Sequence, residues 1–149
     1  MKAGIDSPIG PLTLVAKGDA IVALDWAIGP PASGGVLGEA VAELEAYFAG
    51  TLRAFNVPMA PRGSVFQLEF YAALCAIPYG QTRTYGDLAA QLGVSAQAIG
   101  QACGANPLAI LVPCHRVLAA NGLGGYSGAG GVEAKVTLLR LEGAAGLLI

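Results

Sequence analysis

The chain has 149 residues, 54% of them hydrophobic, and a formal net charge of −2. That much apolar content supports a packed core and excludes a disordered chain. No apolar run reaches the ~18–20 uninterrupted residues of a membrane span, and a mildly acidic balance argues against strong non-specific binding of polyanions.

The acidity is uneven. Residues 1–61 carry three basic against six acidic side chains, and residues 62–149 carry five against four, so a polyanion should meet the second region. The opening Met1-Lys2-Ala3-Gly4-Ile5-Asp6 lacks the apolar block of a secretory leader, so a cytoplasmic protein with no membrane partner is expected. Cys75, Cys103 and Cys114 form no CxxC pair, and one histidine cannot complete a zinc set; neither a metal nor a cofactor is expected. Cys75 and Cys103 sit among Ala and Leu and read as small buried hydrophobes.

In chain order, residues 11–16 and 20–26 flank Lys17-Gly18-Asp19 and read as a hairpin. The Gly/Pro-rich stretch 29–35 precedes an amphipathic helix over about 36–48, with Glu39, Glu43 and Glu45 outward. Residues 51–63, with Pro58, Pro61 and Gly63, read as a linker and domain boundary, giving an N-terminal domain over residues 1–61 and a C-terminal domain over residues 62–149. A helix over 66–74 should stop before Ile77-Pro78. Thr84 suits the N-cap of a helix over 85–92, Gly93 its stop, and Ser95 the cap of a second helix over 96–103, together a helix-turn-helix pattern. Residues 108–112 read as a buried strand or extended segment leading to Pro113-Cys114. A glycine-dense loop over 121–131 lacks a phosphate-loop ending, and a last amphipathic helix over 132–141 ends at Glu142-Gly143.

His115, the only histidine, directly follows Cys114. A thiol of pKa ~8.5 needs a base, a cation or a helix N-terminus to act at neutral pH, and His115 is the candidate base. Neighbouring side chains diverge, so a water bridge between them is expected in place of a direct bond. The far imidazole nitrogen then needs an acceptor, and Glu142, at the end of an apolar segment, is the candidate carboxylate, beside the alternative that it is a solvated helix-end residue. A papain-like arrangement is disfavoured, since it brings its Cys and His from separate segments and no second histidine exists.

The stretch from Phe66 to Glu142 resembles the O6-alkylguanine-DNA alkyltransferases through Ile77-Pro78-Tyr79-Gly80-Gln81-Thr82, Tyr85-Gly86, Gly104-Ala105-Asn106-Pro107, Pro113-Cys114-His115-Arg116-Val117, Gly125-Tyr126-Ser127-Gly128, Lys135 and Leu141-Glu142-Gly143. Residues 7–26 and 47–58 resemble the family's N-terminal domain. The resemblance implies an α+β chain of two domains: a small ribonuclease H-like sheet with a helix, then a mostly helical, winged-helix-like domain bearing the helix-turn-helix. It implies suicide transfer of an alkyl group from O6-alkylguanine, and from O4-alkylthymine, in DNA to Cys114. Cys114, His115, Glu142, Asn106 and Tyr85 would be catalytic, with Tyr85 protonating the leaving base. Val117, Tyr126, Ser127, Gly128 and Lys135 would hold the substrate, the carbonyls of Cys114 and Val117 accepting from the guanine amino group and the Ser127 amide facing O6. Thr84, Gln97, Ala98, Gly100 and Arg116 would meet DNA. The partner would be double-stranded DNA approached from the minor groove with the damaged nucleotide rotated out, and the protein a monomer.

Three departures stand out. The family's intercalating arginine falls on Gln97, the turn before it is about two residues shorter than the common form, and the loop Ser127–Gly131 is about two residues longer than the usual pocket loop. The missing arginine predicts weaker binding or slower base extrusion with the transfer step intact. It also keeps two other readings open: a lesion sensor with altered DNA engagement, or an acceptor for an unusual alkyl substrate.

Overall fold

Leu12, Leu14 and Ala16 alternate along β2 (Gly10–Lys17), the middle strand of an antiparallel sheet in which β1 (Lys2–Ser7) and β3 (Ala20–Asp25) lie on either side. This is a computed structural model describing residues 1–126, 128 and 130–144. The chain divides into two compact units, Met1–Arg62 and Gly63–Ile149, and the architecture is α+β.

The hairpin forms around Gly18 as expected, while β1 is an additional strand that the sequence conceals behind a central glycine. That glycine has a packing reason. A Cβ on Gly4 would lie 2.5 Å from the Gly29 carbonyl oxygen, because the chain after β3 crosses over β1 there. The Thr13 hydroxyl donates to Ala27 O at 2.7 Å and ties down the same crossing. The sheet's other face receives α1 (Gly35–Phe48), whose Leu37, Ala40, Leu44 and Tyr47 recur at helical spacing and are buried. Burying each leucine contributes roughly 1.5–3 kcal/mol.

Residues 51–62 do more than link. Ile21 N–H donates to Pro58 O at 2.9 Å, Ala60 N–H donates to Ile21 O at 2.8 Å, and the Glu43 carboxylate accepts from Asn56 and Val57. Glu43 is therefore a loop anchor in addition to an outward-facing residue.

The second unit opens with α2 (Val65–Cys75), started by a reciprocal cap in which Ser64 accepts from Gln67 N–H and Gln67 accepts from Ser64 N–H. Short β4 (Arg83–Thr84) leads into α3 (Tyr85–Leu92), Gly93 closes α3 in the left-handed conformation, and Ser95 caps α4 (Ala96–Gly104). The helix-turn-helix expected from the sequence is thus present. A 3-10 turn, Cys114–Arg116, precedes β5 (Val117–Leu118), which pairs in parallel with β4, and α5 (Gly131–Leu141) follows.

Residues 108–112 are buried but are not a strand. Val112 N–H returns to Leu108 O at 2.8 Å, and Ile110 has φ 77°. Five consecutive apolar residues signal burial and carry no period, so the backbone shape is not readable from them. No helix among the described residues is long and apolar enough to cross a membrane.

Candidate active site

Asn106, just beyond α4, shapes the path to the cysteine. Its Oδ1 accepts from Leu108 N–H at 3.0 Å, and its Nδ2 donates to Val112 O at 2.9 Å, so one side chain closes the buried turn. A β-branched residue at positive φ costs about 1–3 kcal/mol. Ile110 is held there by this closure and by burial of the residue. Cys114 N–H then donates to Val112 O at 2.8 Å. In a 3-10 turn successive side chains diverge by ~120°. Cys114 reaches a cavity, and His115 and Arg116 turn toward Glu142.

The imidazole is fully buried. His115 Nε2 lies 2.7 Å from Glu142 Oε2, and Arg116 grips the same carboxylate through Nε to Oε1 at 2.8 Å and Nη2 to Oε2 at 3.0 Å. A carboxylate bound to a guanidinium is an acceptor, so Nε2 carries the proton and Nδ1 is left with its lone pair. Nδ1 makes no hydrogen bond to protein among the described residues. Burial, against the opposing pull of Glu142, holds the His115 pKa below its usual range, so the ring is neutral at pH 7.

Burial likewise raises the Cys114 pKa, with the Asn106 side chain and the Lys135 ammonium pulling the other way. Cys114 at rest is a thiol with a base next to it, and its proton must leave as it attacks.

The cavity is about 220 Å³ and is lined by Tyr85, Gly100, Cys103, Gly104, Cys114, Gly125 and Tyr126. That is below the ~300–1,000 Å³ of pockets for drug-sized ligands, and fits one flat heterocycle. Tyr85 is the first residue of α3; burial raises its pKa and keeps its hydroxyl protonated. Gly124, at φ 71°, passes so close that a Cβ there would lie 3.0 Å from the Tyr85 ring. Lys135 holds this loop in place. Its Nζ donates to Val117 O at 2.7 Å, Leu123 O at 2.6 Å and Gly125 O at 3.0 Å, which uses all three of its protons.

Among the residues singled out from sequence, the structure brings Cys114, Tyr85, Tyr126 and Gly100 to one cavity, with His115, Glu142 and Asn106 behind Cys114. Lys135 and Val117 stand behind the wall and do not line it; their mutual bond joins the pocket loop to the cysteine segment. The carbonyls of Cys114 and Val117 already accept from Val117 N–H and Lys135 respectively. Each keeps one lone pair. Gly128 accepts from Gly131 N–H at 3.0 Å, and Ser127 lies outside the described residues.

Thr84, Gln97 and Ala98 lie apart from the cavity. The Thr84 hydroxyl accepts from Asp87 N–H as the α3 cap, while Gln97 is exposed and Ala98 half-exposed on the first turn of α4. Arg116 corrects the reading as a DNA contact. Its side chain is 8% exposed, and Nη1 donates to Ile77 O at 2.7 Å while the other nitrogens hold Glu142, so its charge is committed inside the molecule. A buried carboxylate at 142 demands a cation, and the neighbouring arginine supplies it.

Cys103, Gly104 and Gly125 are pocket residues that the sequence did not single out as such. The signal for Cys103 was its place three residues after Gly100, on the same helix face. It is half-buried, and burial with the nearby Cys114 pushes its thiol up to about 12. Cys75, expected to be buried, is exposed; it is the last residue of α2, beyond the buried face of Phe70, Tyr71 and Leu74.

With this geometry in view, comparison with known proteins identifies the lineage. Residues 1–61 match the ribonuclease-like domain of 6-O-methylguanine DNA methyltransferase, and residues 65–144 match the DNA-binding domain of the same family. The chain belongs to this family. A member from Mycobacterium tuberculosis, a methylated-DNA--protein-cysteine methyltransferase, is 46% identical across 93% of this chain and 89% of its own length. Another from Methanosarcina barkeri is 42% identical across 93% of this chain and 94% of its own. The crystal structure of Mycobacterium tuberculosis OGT in complex with DNA aligns with a TM-score of 0.85 at 45% identity, covering 95% of this chain and 92% of that one. The O6-methylguanine-DNA methyltransferase of the archaeon Pyrococcus kodakaraensis aligns with a TM-score of 0.63 at 26% identity, covering 96% and 99%.

Proposed function

We propose that this chain restores alkylated guanine in double-stranded DNA by moving the alkyl group from guanine O6 to Cys114 Sγ, once per molecule. The observation that carries this reading is a cysteine at the wall of a one-base cavity, with a neutral imidazole beside it whose far nitrogen is fixed on a buried carboxylate. In the attack, a C–S bond forms as the C–O6 bond breaks. The thiol proton passes through a water to His115 Nδ1, Glu142 holds the resulting imidazolium, and the guanine anion takes a proton from the Tyr85 hydroxyl, which the tyrosinate regains as the imidazolium gives its proton up through solvent. The thioether product has no route back to a thiol, so the protein is consumed.

A base inside a duplex cannot reach this cavity, so the nucleotide must be rotated out, costing a few kcal/mol of stacking. The same helix supports that route: α4 brings Gly100 and Gly104 to the cavity mouth, where neither has any atom within 4 Å of a would-be Cβ. A small-residue helix suits close approach in the minor groove. One copy of the chain carries every residue this step uses, so a monomer would suffice. The lesion-sensor and unusual-substrate readings are not favoured, since the acceptor thiol is present and the relatives are named for alkyl transfer to cysteine.

The test is stoichiometry. A duplex with one O6-methylguanine, titrated with protein, should yield one restored guanine per protein molecule and then no more, and Cys114→Ser should restore none. Continued turnover, or no restoration by the unaltered protein, would contradict the reading.

A further inference from the structure

Among the described residues Glu142 meets both His115 and Arg116, and only His115 is used in the transfer just described. The second, Arg116, binds more tightly than a surface ion pair would. Its fork presents two parallel N–H groups to both carboxylate oxygens, at 2.8 and 3.0 Å, which sets the plane of the carboxylate and therefore the direction in which Oε2 meets His115. Nη1 anchors the guanidinium on Ile77 O at 2.7 Å, ahead of β4. Its carbon lies 5.8 Å from the centre of the Tyr79 ring, and the Tyr79 hydroxyl donates to Leu141 O, one residue before Glu142, at 3.2 Å. Arg116 thus joins three segments at the carboxylate that orients the imidazole.

We infer that Arg116 is a positioning residue for alkyl transfer: it shares Glu142 with His115 so that the imidazole keeps its Nε2–H on the carboxylate and Nδ1 open as the base, and the pair takes up no second proton at rest. This rests on the transfer reading above. The physical reason is charge balance in a buried site. A carboxylate and an imidazole alone, out of water, form a pair that takes up a proton readily, whichever of the two carries it. A guanidinium on the same carboxylate supplies the positive charge already, and the pair stays unprotonated to lower pH. The charged groups acting on His115 are Glu142 and Lys135 from the α5 segment and Arg116 from its own turn; the other titratable groups nearby are Cys114, the preceding residue, and Tyr126 of the pocket loop, which feels Cys114 and Glu142. Of the two cations, Arg116 alone touches the carboxylate that holds the ring. Lysine could supply the charge and not the fork.

Transfer rate against pH with an O6-methylguanine duplex, for the unaltered protein, Arg116→Lys and Arg116→Gln, tests this together with NMR titration of the chain's single imidazole. In Arg116→Gln the acid limb of the rate and the imidazole titration should both move up by about one pH unit or more, a loss of about tenfold or more below that limb, with recovery at higher pH. Arg116→Lys should shift less. If the glutamine variant does not fold, the lysine variant and the unaltered protein decide. A loss equal at every pH with an unmoved imidazole titration would reduce Arg116 to a structural clamp and overturn the inference. So would an imidazole in the unaltered protein that titrates at or above the ordinary histidine range. Failure of the unaltered protein to transfer any alkyl group would instead refute the transfer reading, and the imidazole titrations would still decide what Arg116 does to the pair.

Discussion

The space behind Cys114 and the outer face of α4 are built on opposite terms. Behind the cysteine, His115, Arg116, Lys135 and Glu142 are all buried, and apart from His115 Nδ1 their polar atoms meet one another or backbone carbonyls at 2.6–3.0 Å. On α4, Gln97, Gly100 and Gly104 are exposed, and the two glycines contribute no side chain. The difference separates two tasks. Under the proposed transfer the proton route would depend on the orientation that these bonds hold, whereas the α4 face would be left bare so that a DNA backbone could come close.

The contrast can be broken from the inside first. Glu142→Ala removes the acceptor of both His115 and Arg116 and leaves a buried guanidinium unpaired, so denaturant unfolding should show a loss of about 3–5 kcal/mol. Lys135→Met strands three carbonyls and should cost about 3 kcal/mol in the same assay, with the pocket loop loosened. Stability should also follow the imidazole. The folded-state pKa of His115 is depressed, so between it and the unfolded value the unfolded chain binds the proton and the folded chain does not. The melting temperature should therefore fall as pH drops below about 6.5, and an unchanged or rising value between about pH 7.5 and 5.5 would contradict the placement of that ring.

On the α4 face the same kind of change should leave the fold alone. Gln97→Arg is expected to alter stability by no more than about 0.5 kcal/mol. It should tighten DNA binding and steepen its salt dependence by up to about one in log–log slope. Fluorescence anisotropy at two salt concentrations reads both, and unchanged affinity would show that the charge absent at this position is not what limits binding. The smallest effect concerns the thiols: an alkylating label at neutral pH should reach exposed Cys75 before Cys103, whose thiol burial holds far from ionisation.

Much of the site could be read from residues before any coordinates. A lone histidine beside a cysteine, and one carboxylate ending an apolar segment, made Glu142 the candidate partner of His115, since a buried carboxylate and a buried imidazole each need a partner, but a solvated Glu142 stayed open until the family resemblance was added. Ser95, Gly93 and Thr84 marked the helix ends by capping chemistry that acts within a few residues. What stayed hidden depends on contacts distant in sequence. Arg116 looks like a surface cation until the burial of Glu142 is known, 26 residues away. β1 is recognisable only once Gly4 is seen beneath the Gly29 crossing. The buried turn over 108–112 owes its shape to the Asn106 side chain, which a run of apolar residues does not reveal.

The most direct test locates the transferred carbon. After incubation with a duplex bearing O6-methylguanine, peptide mapping should find the mass of one CH2 on the peptide containing Cys114 and none on those containing Cys75 or Cys103. An unchanged Cys114 peptide, or the methyl group on either of the other two cysteines, would contradict the account.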